Sequence, residues 1–267
     1  MSSTALRSQS ISTTPIARLF ADIRRGNAAL WVSTVGMALG AIICSGLMVI
    51  DTRSFNGVDV WDKPAKFFLS LAVQFATVSF ALSLIPSSRG TRIAIWLMIA
   101  AGWGEVAYIV YRAALAEASH FNSSSIAAQV AYGLMGFGAL TLTATAFFIG
   151  WRVWRVRGQS LITEATSLGL MLGMAVGTAA GVYMSAQTSH WVGGELSDAH
   201  GLGFFSWSTT GGDLRVAHFI GLHAAQIIPL AALSGDKRMV YAVAGLSVAF
   251  AAATFVLALM GIPLLRG

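Results

Sequence analysis

The stretch Ala28 to Ile50, AALWVSTVGMALGAIICSGLMVI, holds no charged side chain and no histidine. A helix needs about 20 apolar residues to cross a bilayer core, and this stretch supplies them. Six further stretches of the same kind follow, near residues 64–86, 91–113, 127–151, 162–186, 213–233 and 238–263. The composition agrees: 56% of the 267 residues are apolar and 10% are charged, against about 25% charged in soluble domains. Backbone groups in lipid must be satisfied within each segment, so the expected fold is all-α, a polytopic bundle of seven transmembrane helices. The alternating ten-residue segments of a β-barrel are absent from the sequence. Two regions are expected: a flexible cytoplasmic tail over 1–27, rich in Ser and Thr, and a seven-helix domain over 28–267. The first span is too long for a signal-peptide core and reads as retained. Cys44 is the one cysteine, so no internal disulfide forms and a buried inert thiol is expected.

Basic residues set the orientation. Arg7, Arg18, Arg24, Arg25, Arg89, Arg92, Arg152, Arg155, Arg157, Lys237 and Arg238 fall at one end, eleven of the 17 Lys and Arg. Arg53, Lys63, Lys66, Arg112, Arg215 and Arg266 fall at the other. This places the N-terminus in the cytoplasm and the C-terminus outside a bacterial-type inner membrane. The net charge of +6 then serves contact with anionic lipid, and nucleic-acid binding is not expected. Trp31, Trp96, Trp151 and Trp154 mark the inner boundary, and Trp61, Trp191 and Trp207 the outer one, while Trp103 is expected inside the bundle. Gly169, Gly173, Gly177 and Gly181 recur every four residues. Such a stripe admits a neighbouring helix at close range, within the chain or as an oligomer seam.

Polar residues inside the spans are costly and mark function. Glu105, Tyr108 and Arg112 share one helical face, as do Lys63, Lys66, Ser70, Gln74 and Thr77. Asp62 can cap the second of these helices ahead of Pro64. In the sixth span, Arg215, His218, His223 and Gln226 fall within an arc of about 140°. Asp213 stands three residues after Thr210, in a capping-box-like position, and is expected to point elsewhere. His218 and His223 sit about 8 and 15 Å inside the start of their helix, and Glu105 about 12 Å from the outer end of its own. All five histidines fall in the outer half or in outer loops, including His120, His190 and His200. An outward-opening polar pocket is expected, with the long segment 187–212 as its lid.

The segments RAALAEASHFN and WSTTGGDLRVAHFIGLHAAQIIPL, with KPAKF beginning at Lys63, resemble a family of bacterial multi-pass membrane proteins to which no activity is attached. The resemblance covers most of the chain and implies an integral membrane protein. In that pattern an Arg-Gly pair precedes Ser-His-Phe-Asn; here Leu115 and Ala116 occupy those positions, with Arg112 one turn earlier.

Several chemistries fit such a pocket. Glu105, His218 and His223 suit a membrane-embedded metal-dependent enzyme holding zinc or copper, with His120, His190 or His200 closing the shell. A transporter or binding protein for an anion or an anionic lipid headgroup would use Lys63, Lys66, Arg112 and Arg215, with Gln74, Tyr108 and Gln226 as further ligand-binding groups. A b-type haem would pair a histidine of the sixth span with a loop partner such as His190. No HExxH or GxSxG motif is present, and no nucleotide-binding loop.

Overall fold

The computed structural model describes residues 15–266. It is an all-α bundle of seven long apolar helices, each of membrane-crossing length. Six of the seven begin and end within three residues of the expected bounds, and the last ends at Leu259 instead of 263. The agreement is physical: an apolar run long enough to span ends where capping groups or loop polarity take over.

Helix α1 (Pro15–Gly26) precedes the spans. The tail expected to be flexible over 1–27 is therefore helical in its second half, and Arg7 lies outside the described residues. The joint between α1 and α2 (Ala28–Ile50) is stitched to the last turns of α3 (Asp62–Ser83). Ser79 Oγ donates to the Ile23 carbonyl at 2.6 Å and accepts from the Asn27 amide at 3.1 Å. Asn27 in turn caps α2 through the Leu30 amide at 3.0 Å. Ser79 thus spends its hydroxyl on backbone groups a helix break would otherwise leave unpaired.

The bundle continues with α4 (Arg89–Ala114), α5 (Ile126–Trp154), α6 (Leu161–Ala186), α7 (Leu214–Ala231) and α8 (Lys237–Leu259). Helix α3 is central and meets α2, α4, α5 and α6. Phe75, Met98, Val78, Ile149 and Leu170 fill the core where these helices converge. On α6 the glycine stripe faces α7. A Cβ on Gly173 would meet the Ala225 backbone nitrogen at 2.9 Å, and one on Gly177 would meet Leu222. The stripe thus admits α7 at close range within the chain. Trp103 sits in the seam between α2 and α4 against Gly36 and Ser33, with 39% of its surface exposed.

Three loops gather at one end of the bundle. Residues 51–61 form a hairpin, β1 (Ser54–Phe55) with β2 (Val58–Asp59), around Asn56 and Gly57 at positive φ. Asn-Gly is the turn such a hairpin demands. The long segment opens and closes as a ribbon, β3 (Trp191–Val192) with β4 (Gly212–Asp213). The hairpin tip docks on it through the Asn56 carbonyl, which accepts from the Asp198 amide at 3.0 Å. Two of the three tryptophans expected in an outer belt are part of this cap. Trp207 is buried and stacks on Phe205 at 4.3 Å, and the Trp61 indole donates to Asp51 at 2.7 Å. Folding back of the long segment removes Trp207 from the boundary.

Candidate functional site

Asp213 is the N-cap of α7. Its Oδ1 accepts from the Arg215 amide at 3.0 Å and its Oδ2 from the Ser208 amide at 2.9 Å. The Arg215 guanidinium folds back onto the same carboxylate, with Nη2 at 2.7 Å from Oδ2. Asp213 therefore does not point away from Arg215, as expected from helical phase. It begins the helix, and its side chain lies in the turn that the arginine reaches. Arg215 Nη2 also donates to Asp198 and to the Ser206 carbonyl, each at 2.7 Å. Asp198 is 3.7 Å from His190 Nε2. Burial pushes the Asp198 carboxyl up, but His190 and the Arg215 guanidinium outweigh it and hold it below its ordinary value.

The other cations are similarly engaged. Lys66 pairs with Asp62 and donates to Ser206 Oγ at 2.8 Å. Asp62 is a first-turn residue paired along the helix, and Trp61 takes the N-cap position expected for it. Arg112 pairs with Glu117 at 2.7 Å and donates to the Ala118 carbonyl at 3.2 Å. That arrangement needs the sharp turn at Ala116, whose φ is 53°. It is the position where the resembled pattern has glycine, the residue that takes this conformation at least cost.

Lys63 is different. Among the described residues it forms no ion pair and no hydrogen bond; its Nζ lies 5.9 Å from the Phe67 ring centroid. Its charge is within electrostatic reach of Arg215, Asp198 and Glu105. His120 adjoins it, packed 5.5 Å from Phe67. Burial, then the Lys63 charge, then His190 push the His120 ring well below its usual 6.5, so it is neutral. Burial likewise lowers His190, against the pull of Asp198. An aromatic chain ties the loops together, from His120 to Tyr132 at 6.0 Å, Tyr132 to Phe121 at 5.5 Å and Phe121 to His190 at 6.1 Å.

Glu105 lies deeper, 6% exposed, its Oε1 against Gly138 of α5. It forms no hydrogen bond among the described residues. The partner expected for it, Arg215 or a histidine of α7, is committed elsewhere. His218 Nδ1 is 2.7 Å from the Gly177 carbonyl of α6. His223 Nδ1 is 3.2 Å from Gln226 Oε1, and Gln226 donates to Thr77 of α3 at 2.9 Å. His218 thus reaches across to α6, while His223 stays with Gln226 on its own helix, and Gln226 carries the contact on to α3. The set expected to hold zinc or copper is therefore not assembled: among the described residues no group of three or more His, Cys, Asp or Glu stands in a metal-binding arrangement. Gln74 meets Met174 Sδ at 3.6 Å, Tyr108 packs on Tyr111, and His200 is exposed at the rim.

The structure thus links Arg215 and His190 through Asp198, sets Lys63 within electrostatic reach of Arg215, Glu105 and His120, and bonds His218 and Gln74 to α6. Asp198 and Ser206 were not singled out in the sequence. Asp198 carried one usable signal, an acid standing between His190 and His200. No protein-family model, curated protein or solved structure matches the chain.

Proposed function

We propose that this protein is a membrane-embedded binding protein or carrier for a small anion, taken up at the loop-rich end with Lys63 as its anchor. One observation carries the reading. Lys66, Arg112 and Arg215 all have protein carboxylates within ion-pair distance, whereas Lys63 has none among the described residues. An ammonium held among apolar and aromatic groups without a paired anion is costly, and a ligand that supplies the anion relieves the cost. Neutral His120 beside it offers a ring nitrogen for a directional hydrogen bond. Glu105, deeper in the bundle, is the group whose charge a bound anion would sense. Left-handed backbone supports a built site as well. Asn56, Ala116, Phe121, Thr188 and Ser206 all lie in the loops of this end, and strain of this kind gathers where surrounding structure holds a site open. The basic end then faces the cytoplasm of a bacterial inner membrane.

The test is thermal stability of purified protein titrated with phosphate, sulfate and short carboxylates. At least one should stabilise the wild type, and Lys63→Gln should lose that response while Arg266→Gln, a cation at the same end, keeps it. An unchanged titration of Lys63→Gln, or no response of the wild type to any anion, would remove the anion reading.

A further inference from the structure

The opposite end carries a second feature, unrelated to Lys63. Arg89, Arg92, Ile93, Trp96 and Leu97 line a shallow groove of about 510 Å³ on the outer face of α4. Arg92 and Ile93 lie three and four residues after Arg89, and Trp96 and Leu97 lie four after Arg92 and Ile93, so the five form one stripe along the helix. Its top is cationic, its middle carries an indole, and its lower part is aliphatic. Trp96 is 63% exposed, and Ile93 and Leu97 are about half exposed.

Among the described residues the two arginines have no counter-ion. Three acidic side chains lie at this end among the described residues, and each is engaged. Asp22 pairs with Arg25. Glu164 takes Lys237 at 2.9 Å and Tyr241 at 2.6 Å. Asp236 caps α8. Other cations here find neutral partners: Arg152 donates to Ser88 at 2.6 Å, and Arg155 and Arg157 lie over Trp151 and Trp154. Arg89 and Arg92 do neither. Ser88 takes the Thr91 amide in a capping box at the start of α4. An anion at this place would be held chiefly by the two guanidinium groups.

We infer that the Arg89–Arg92–Trp96 groove of α4 is a binding site for one anionic phospholipid. Its phosphate takes the two guanidinium forks, whose planar donors match phosphate oxygens. Its acyl chain runs down Ile93 and Leu97, and Trp96 stands at headgroup level, where indoles are favoured. The ligand must be a lipid because the groove continues from charge into apolar surface on the face turned to the bilayer. A soluble phosphate would fill only the top.

Native mass spectrometry of the full chain, released from micelles doped with phosphatidylglycerol or phosphatidylcholine, tests this. The wild type should retain one phosphatidylglycerol in preference to phosphatidylcholine. Arg89→Gln with Arg92→Gln should weaken that retention by about thirty-fold, since each arginine near an anionic headgroup contributes about a factor of five. Arg155→Gln with Arg157→Gln removes the same charge from the same end outside the groove and should leave it in place. Equal loss in both double variants would mean diffuse attraction to the leaflet and overturn the site. Displacement of the lipid by millimolar inorganic phosphate would overturn it too, because the acyl groove would then contribute nothing. Both arginines are exposed, so the variants should fold.

Discussion

Lys63 and Glu105 are opposite charges on neighbouring helices, each lacking a hydrogen-bonded partner. They form no ion pair, and attraction across the space between them is weaker than that of a contact pair. Removing both should cost less than the sum of removing each. We expect Lys63→Gln and Glu105→Gln to be non-additive in unfolding free energy by about 1–2 kcal/mol; strict additivity would show that the two charges do not sense each other. His120 gives a second residue-scale prediction. Its folded-state value lies well below 6.5, so the unfolded chain takes up the proton first as pH falls. The neutral ring therefore contributes stability that is fully present above pH 6.5 and is lost as pH drops through that value toward the folded one. The loss is at most about 1.4 kcal/mol per pH unit for one proton. His120→Gln should flatten the fall in melting temperature between neutral and mildly acid pH. His190 shifts in the same direction, so part of the fall should remain; a profile identical to the wild type would place His120 outside the buried cluster.

At the scale of elements, the contact between α6 and α7 depends on glycine. Gly173→Val would drive a methyl-bearing carbon into the Ala225 nitrogen and the Leu222 carbonyl, both backbone atoms that cannot rotate away. The cost expected is about 1–3 kcal/mol or more, read as a lower melting temperature and reduced folded yield. Gly104→Ala, on a face of α4 with nothing within 4 Å, should be neutral or up to about 1 kcal/mol stabilising, because alanine is the better helix former. If the two substitutions behaved alike, the stripe would not be a packing device. The His218 bond to the Gly177 carbonyl belongs to the same interface, which is why that ring looks toward α6 and not toward Glu105.

Across the whole molecule, charge is divided unevenly. Among the described residues ten Lys and Arg stand at the α1 end with three acids, and six stand at the loop-rich end with eight. A reporter fused after Gly267 should therefore be active on the periplasmic side and silent in the cytoplasm. Cytoplasmic activity would invert the bundle and place the Lys63 site on the opposite face of the membrane.

The apolar runs by themselves determined seven helices, their approximate ends and the clustering of polar groups toward one end, because span length and lipid solvation act on each segment alone. The capping role of Asp213 was also legible, being local backbone chemistry. Only the tertiary structure decided which polar groups meet. Helical phase placed Arg215, His218, His223 and Gln226 on one broad arc, yet the folded-back loop claimed Arg215, α6 claimed His218 and α3 claimed Gln226. Lys63 acquired its neighbours from segments distant in sequence: Glu105 on α4, His120 in one loop and Asp198 in another. Such meetings depend on how helices rotate against each other and where a long loop lands, and neither is set by the period of a single helix.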